Sequence, residues 1–149
     1  MASMGHQRIS KGIEMKVDHI GIAVKDLQDT LNLYKKILEN SEVQTEEVPT
    51  EKVRVAIIPL GDTRIELLEP MSDESAIAKF IKEKGEGVHH IAVTVEDIKA
   101  SIGKLSAEGL RVLYPEPRLG SHGKMITFVH PKSTRGVLLE LCQLPKRES

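Results

Sequence analysis

The chain has 149 residues, 40% of them hydrophobic and 29% charged, a balance typical of a globular protein with a real core. Its formal net charge of −1 and its scattered lysines and arginines argue against nucleic-acid binding, which needs a clustered basic surface. No apolar run reaches the ~18 residues of a membrane helix, and the single cysteine, Cys142, excludes an internal disulfide and a cysteine-based zinc site. We therefore expect a cytoplasmic protein without nucleic-acid or membrane partners.

The first 14 residues show no hydrophobic periodicity and lack the apolar core of a secretory signal. We interpret residues 1–14 as a disordered leader or an expression remnant outside the fold. A single domain is predicted over residues 15–145, with modules at about 16–70 and 87–143 and a linker helix at about 72–84.

The first module is predicted to open with a strand at Lys16–Val24, where β-branched residues alternate with others. Asp26 is placed to cap the following helix, whose apolar residues share one face: Leu27, Leu31, Tyr34 and Leu38. Three strands complete the module, at Glu42–Val48, Lys52–Pro59 and Arg64–Glu69, with a hairpin turn at Leu60-Gly61-Asp62.

The linker helix is predicted at Ser72–Lys84 and is closed by Gly85 and Gly87. The second module then has a strand at Val88–Val95 and a helix that ends at Gly109. Its remaining segments are a short strand at Leu110–Leu113, a loop at Pro115–Lys124, and a final strand pair at Lys124–His130 and Gly136–Gln143.

The two modules are copies of one unit, because Val17–Val24 recurs as Val88–Val95 at an offset of 71 residues. His19 and His90 occupy the same place in the two copies. Each copy reads β-α-β-β-β, and a lone sheet with one helix leaves its other face unburied. We therefore predict an α+β fold in which two such modules form a cupped, curved sheet.

The alternation of side chains in the two histidine strands predicts which face of the sheet each histidine occupies. Each histidine shares its face with small side chains, Gly21 and Ala23 beside His19, and Ala92 and Thr94 beside His90. The opposite faces carry large aliphatic side chains that suit packing under a helix. Both histidines are therefore predicted to point into the cup, whereas His89 is predicted to face away and to be structural.

Each module also carries a glutamate inside an apolar strand, Glu66 in the first and Glu140 in the second. A glutamate in such a run is costly to bury unless it is paired or binds a metal. Two histidines and two glutamates at equivalent places therefore predict a four-ligand metal site at His19, Glu66, His90 and Glu140. Mixed nitrogen and oxygen donors suit Co²⁺, Mn²⁺, Ni²⁺, Zn²⁺ or Fe²⁺.

Five segments carry a resemblance to a known family: Asp18–Val24, Arg64–Pro70, Gly87–Ala92, Leu119–Lys124, and His130-Pro131-Lys132 with Gly136–Leu141. On these motifs, the chain from about Lys16 to Gln143 resembles the vicinal oxygen chelate (glyoxalase-like) superfamily and, within it, the methylmalonyl-CoA epimerase family. The resemblance implies a metal, usually cobalt, on the four residues above, an acyl-CoA thioester substrate and a homodimer. It also implies interconversion of (R)- and (S)-methylmalonyl-CoA by proton transfer through a metal-stabilised enolate.

The resemblance implies that Glu140 acts as an acid or base as well as a metal ligand. Some family members have a second glutamate on the strand before the hairpin, where this chain has Arg54, which is not a practical base. The second acid/base is therefore left open between Glu47, Glu51, His122 and a metal-bound water. Arg54 is expected either to face solvent or to pair with the substrate carboxylate.

Three further residues are candidates for substrate binding: His122, Lys124 and Lys132. The two lysines would contact the CoA phosphates or the substrate carboxylate. His130, which begins a turn before Pro131, is predicted to be structural.

Three other functions compete with the epimerase. A glyoxalase I-type lyase could use the same four ligands on a thiol hemithioacetal. A ring-cleaving dioxygenase would use Fe²⁺ on two histidines and one carboxylate. A metal-free small-molecule-binding dimer of the same fold would have no need for two histidines and two glutamates in the cup.

Overall fold

The computed structural model of the protein describes residues 15–39 and 42–146, so the predicted leader at 1–14 lies outside the described residues. Its strands are β1 (Val17–Ala23), β2 (Gln44–Val48), β3 (Val53–Leu60), β4 (Thr63–Pro70), β5 (Gly87–Thr94), β6 (Arg118–Leu119), β7 (Met125–Val129) and β8 (Leu139–Gln143). Its helices are α1 (Leu27–Leu38), α2 (Ala76–Lys84) and α3 (Ile98–Ala107), with short 3-10 turns at Ser121–Gly123 and Pro131–Ser133.

The eight strands form one sheet in the order β2-β3-β4-β1-β5-β8-β7-β6. The order is symmetric about the central β1–β5 pair, which is antiparallel, while β1 pairs with β4 and β5 with β8 in parallel. The sheet curls into a half-barrel. The predicted α+β fold of two β-α-β-β-β modules around a cup is therefore confirmed.

The two faces of the sheet are covered differently. On the convex face, α1 and α3 pack over aliphatic clusters that include Ile22 and Leu67 in the first half and Val93 and Leu141 in the second. Asp26 caps α1 as predicted, since its carboxylate accepts a hydrogen bond from the backbone N–H of Asp29. On the concave face, α2 packs against the first half of the sheet. Among the described helices, none has the length and apolarity needed to cross a bilayer.

Two predicted segments differ at their starts. The linker helix begins at Ala76 rather than Ser72, because the Ser75 hydroxyl accepts from the backbone N–H of Ala78 and so caps the helix there. The last strand begins at Leu139 rather than Gly136, because Arg135 and Gly136 both have positive φ, which extended strands do not adopt.

Two predictions for the region between α3 and β7 were wrong. Leu110–Leu113 forms no strand, since only Val112 makes an isolated bridge, to Val129. The segment predicted as a plain loop contains β6, which pairs with β7 at the edge of the sheet. The bridge of Val112 to Val129 spans 17 positions of the sequence, whereas β6 pairs with residues of β7 only six to eight positions away.

Candidate active site

Two lateral rows of residues cross the four central strands. Each row contains one glutamate, one small residue and one histidine: Glu66, Gly21 and His90 in the first, and Glu140, Ala92 and His19 in the second. Because paired residues on neighbouring strands lie side by side, the rows gather all four predicted ligands in one region of the sheet. Each histidine therefore lies in the same row as the glutamate of the other module.

Gly21 makes room for the ring of His90. A Cβ atom at position 21 would lie 2.2 Å from His90 Cε1, 2.6 Å from Nδ1 and 2.7 Å from Nε2. These separations are far below van der Waals contact, so only glycine fits beneath the ring. The equivalent position in the second row is Ala92, which is completely buried.

Three of the predicted ligands converge on one point. His19 Nε2 lies 3.0 Å from His90 Nε2, and Glu140 Oε1 lies 3.2 Å from His90 Nε2 and 3.7 Å from His19 Nε2. All three side chains are buried and each offers one ligand atom to a common centre. Two imidazoles and a carboxylate are a donor set that divalent transition metals bind.

The fourth predicted ligand, Glu66, lies on the other side of the His19 ring. Its Oε2 is 3.3 Å from His19 Nδ1. On this side of the ring, Asp18, His19 and Glu66 each offer one possible metal-ligand atom. Glu66 Oε2 is buried and makes no hydrogen bond within the described part of the chain. Its cationic neighbours are His19 and, at 3.8 Å, Arg64 Nε, so the donors that fit a metal by convergence are His19, His90 and Glu140.

Asp18 holds the other ring nitrogen of His19. Its Oδ2 accepts hydrogen bonds from His19 Nδ1 at 2.8 Å, from Lys124 Nζ at 2.8 Å and from the Arg64 guanidinium. The Nδ1–H group of His19 is thereby engaged, which leaves Nε2 with a lone pair for a metal. Sequence reasoning missed this role, because strict alternation places Asp18 on the face opposite to His19.

His89 does the same for His90, which corrects the prediction that it faces away. It lines the cavity and its Nδ1 lies 2.9 Å from His90 Nδ1, while its ring packs edge-to-face on Phe80. A metal can bind His90 Nε2 when His90 Nδ1–H donates to His89 Nδ1. Burial, reinforced by the charge of His90, lowers the pKa of His89 to about 4, so His89 is a neutral partner.

A register shift explains both exceptions. Between β1 and β5, Val17 pairs with Val93 and His19 with Ala92, which leaves Asp18 as an extra residue. Further along the same pair, Gly21 faces His90 and Ile22 faces Val88, which leaves His89 as the extra residue. A bulge of this kind breaks alternation and redirects a side chain. The bulges stand at equivalent places in the two modules, immediately before each histidine.

Charge within the site is strongly coupled. Burial alone would lower the pKa of His19, but hydrogen bonds to Asp18 and Glu140 and the charge of Glu66 raise it to about 9. Burial alone would raise the pKa of Glu140, but hydrogen bonds from His19 and His90 lower it to about 2. Burial also opposes ionisation of Asp18, yet His19, Lys124 and Arg64 hold its pKa well below its usual range. Without a metal, His19 is therefore protonated. A metal that binds Nε2 would have to displace that proton.

Replacing His89 by alanine is expected to weaken metal binding by ~10–100-fold, the usual cost of removing the partner that orients a metal-binding histidine. The dissociation constant is measured by competition with a chromogenic chelator. His130→Ala is the matched control, because His130 Nδ1 only accepts from the backbone N–H of Lys132 in a turn. Equal metal affinity in the His89 variant and the wild type would mean that the contact with His90 has no orienting role.

The candidates for the second acid/base lie in different places. Glu51, in the turn between β2 and β3, lines the cavity. Glu47 is on β2, and one of its carboxylate oxygens lies 3.8 Å from Arg54. His122 is in the turn before β7, and its Nδ1 lies 3.5 Å from Glu46 Oε2. Neither Glu47 nor His122 is among the described residues that line the cavity.

The basic candidates also separate. Lys124 is buried, lines the cavity and is held by Asp18. Lys132 is exposed in the turn Pro131–Ser133, away from the cavity lining. Arg54 points to solvent, as one of its two predicted alternatives stated, and pairs with Glu69 at 3.0 Å.

The cavity over the histidines has a volume of about 140 Å³. Polar groups sit at its floor and apolar side chains form much of its wall, including Val53, Val55, Leu68, Ile126 and Phe128. Tyr114 also lines it and stacks with Arg118, whose guanidinium carbon lies 3.8 Å from the ring centroid. An apolar wall with a few converging polar groups is typical of a small-molecule site.

Comparison with known proteins places this site in a family. A model described as the Glyoxalase/Bleomycin resistance protein/Dioxygenase superfamily matches residues 18–128. The human mitochondrial methylmalonyl-CoA epimerase is 40% identical over 129 residues, which cover 86% of this chain and 73% of that protein. The ethylmalonyl-CoA/methylmalonyl-CoA epimerase of Cereibacter sphaeroides is 40% identical over 131 residues, covering 87% of this chain and 98% of that protein.

A solved structure agrees with these relatives. The structure of a methylmalonyl-CoA epimerase in complex with methylmalonyl-CoA and NH4+ is 40% identical and has a TM-score of 0.85, covering 91% of this chain and 98% of that one. Sequence and structure therefore point to the same relatives over nearly the whole chain. The chain belongs to the Glyoxalase/Bleomycin resistance protein/Dioxygenase superfamily and, within it, to the methylmalonyl-CoA epimerase family.

Proposed function

We propose that this protein is an isomerase that interconverts (R)- and (S)-methylmalonyl-CoA. The reaction inverts the carbon between the carboxylate and the thioester, whose proton is acidic because the resulting carbanion delocalises into the thioester. The observation that carries this proposal is the convergence of His19, His90 and Glu140 at the floor of the cavity. This arrangement stands in a chain 40% identical to epimerases of this substrate class.

The size of the cavity fits the reacting end of an acyl-CoA. A volume of about 140 Å³ accommodates a short branched acyl group but not the nucleotide part of CoA. The CoA portion must therefore extend outside the protein, where it contacts the rim of the cavity. The apolar wall excludes water from the reacting carbon and strengthens electrostatic interactions there.

We propose that His19 Nε2, His90 Nε2 and Glu140 hold a divalent metal, with Glu66 as the fourth ligand. Glu66 shares a row with Gly21 and His90, as Glu140 does with Ala92 and His19, and this equivalence supports the fourth assignment. Co²⁺ is the first expectation from the family resemblance, and the donor set also accommodates Mn²⁺, Ni²⁺ or Zn²⁺. When bound, the cation would stabilise negative charge that develops on the thioester oxygen.

Other steps, proton transfer and substrate binding, are proposed for side chains of the cavity. Glu140 brings its carboxylate to the cavity, where it can accept the proton of the substrate carbon. Lys124 is buried, lines the cavity and is paired with Asp18, which favours a contact with the substrate carboxylate over the CoA phosphates. Lys132 and His122 lie outside the cavity lining, so we propose that any substrate contact they make is with the CoA portion.

We also propose that the protein is a homodimer and works in the cytoplasm. The resemblance to the epimerase family supports the dimer, and a single buried cysteine is compatible with a reducing compartment. Analytical ultracentrifugation tests the first proposal, and localisation of a tagged chain in cells tests the second.

Metal-loaded protein incubated with one epimer of methylmalonyl-CoA in D₂O is expected to incorporate deuterium at the chiral carbon and to produce the other epimer. Mass spectrometry measures the label, and a chiral assay measures the product. Protein stripped by a chelator is the control and should exchange far more slowly. A glyoxalase I-type lyase or a metal-free binding dimer would leave this substrate unlabelled, so the absence of exchange would refute the epimerase.

A further inference from the structure

We propose that Glu51 is the second catalytic acid–base residue, which exchanges a proton with the substrate carbon from a different wall of the cavity than Glu140. This inference rests on the proposed epimerase function, because inversion needs proton transfer on both faces of one carbon. It assigns a catalytic role to a residue in the turn between β2 and β3.

The position of Glu51 carries the argument. The side chain lines the cavity together with Val48 and Val53, which end β2 and begin β3. Glu140 comes from β8 in the other half of the sheet. The two carboxyl groups therefore approach the cavity from different modules.

Glu51 is also left without an internal partner at one oxygen. Its Oε1 is buried and makes no hydrogen bond in the described part of the chain. A buried carboxyl oxygen without a partner is unfavourable unless a ligand uses it. Since this residue lines the cavity, the group that can use the oxygen is the substrate.

Other acidic residues near the cup are excluded by their contacts. The cavity-lining acids of the described chain are Glu51, Glu66 and Glu140, and Glu66 lies beside Asp18 and His19, with its Oε2 3.3 Å from His19 Nδ1. Glu46 has an unsatisfied Oε1 as well, but its other oxygen pairs with His122 and it does not line the cavity.

Strand β3 offers no alternative. Its residues that face the cavity are Val53 and Val55, while Arg54 between them points to solvent. Strand β3 therefore brings no carboxyl or imidazole group to the cavity. Glu51 lies two residues before Val53 and brings a carboxyl group to the same wall.

The surroundings of Glu51 suit a proton donor. Burial, reinforced by the negative charge of Glu140, raises the pKa of Glu51, although Arg118 opposes this effect. A raised pKa favours the protonated form of a carboxyl group, which is the form that donates a proton.

The proposed reaction consists of two proton transfers, one on each face of the chiral carbon. Glu140 removes the proton from the chiral carbon, and the electron pair of the C–H bond moves into the enolate of the thioester. The O–H of Glu51 then donates its proton to the other face of the same carbon, and the thioester carbonyl re-forms. Glu51 is left ionised and Glu140 protonated, and exchange with solvent or a turnover in the opposite direction resets both groups.

The test uses Glu51→Gln in the full-length, metal-loaded protein. Epimerisation is expected to fall by ~10²–10⁴-fold, the usual effect of losing a general acid or base. Exchange of the substrate proton in D₂O should persist from one epimer only and without inversion, because Glu140 still works on its own face. Metal content and melting temperature should match those of the wild type.

Glu47→Gln is the matched control, because Glu47 is a nearby glutamate on β2 that does not line the cavity, and it should epimerise like the wild type. Glu51→Asp keeps a carboxyl group and should recover part of the lost rate. Wild-type epimerisation by Glu51→Gln would overturn the inference, as would loss of exchange from both epimers with metal retained. A wild-type protein that never exchanges the proton would instead refute the proposed function itself.

Discussion

Glu140→Gln is expected to lower the rate of epimerisation by at least ~10³-fold, because the substitution removes a proton-transfer group and a charged metal ligand together. The glutamine is nearly isosteric, so the change is chemical rather than steric. Deuterium exchange should be lost from the epimer whose proton Glu140 removes. The measurement combines the chiral assay, exchange in D₂O and the metal content of the variant.

Glu66→Gln is the control for Glu140→Gln, because it removes the charge of a proposed metal ligand without removing a proton-transfer group. A glutamine at position 66 keeps an oxygen donor, and it removes no proposed proton-transfer group. We expect this control to bind metal and to retain activity within about tenfold of the wild type, since one charge-neutral oxygen ligand is a modest change. If Glu140→Gln were as active as Glu66→Gln, the acid–base role of Glu140 would be wrong.

The pattern of the sequence was sufficient to predict the framework of the site. The repeat of Val17–Val24 identified the two modules, and alternation placed His19 and His90 toward the cavity. These predictions succeed because a strand in a sheet with one helix-covered face must present alternate residues to opposite environments. The capping of α1 by Asp26 was equally local, and it too was predictable.

The same alternation failed at the residues that precede the histidines. Asp18 and His89 are extra residues in the β1–β5 pairing, and nothing in their immediate sequence shows that the register shifts there. The burial of Lys124 has a similar origin, because its partner Asp18 lies 106 residues away. Contacts of this kind depend on the assembled sheet, and a single strand read alone carries no record of them.

The two bulges give the metal region an asymmetry that the repeat hides. His19 is supported by an anionic carboxylate, whereas His90 is supported by a neutral imidazole. A carboxylate raises the basicity of a histidine ligand more than a neutral acceptor does. In the proposed metal site, the two modules would therefore provide ligands of the same type but of different strength.

Gly21→Ala is expected to abolish tight metal binding, with a loss of affinity of more than ~100-fold, the upper end of what disturbing the surroundings of a ligand costs. The new Cβ would lie 2.2 Å from His90 Cε1, so the ring must leave its place or the central strands must separate. Overpacking of this kind costs about 1–3 kcal/mol of stability. Gly21 is not among the residues with positive φ, so the backbone itself would accept alanine and the effect is steric.

Gly103→Ala is the control that isolates this steric effect. Gly103 lies within α3, and a Cβ atom there would meet nothing within 4 Å. Alanine should therefore stabilise the helix by up to about 1 kcal/mol and leave metal binding unchanged. Thermal unfolding and chelator competition measure both quantities for both variants. If Gly21→Ala bound metal as tightly as Gly103→Ala, the position of the His90 ring over Gly21 would not be needed for metal binding. The row that joins Glu66, Gly21 and His90 would then not define the site.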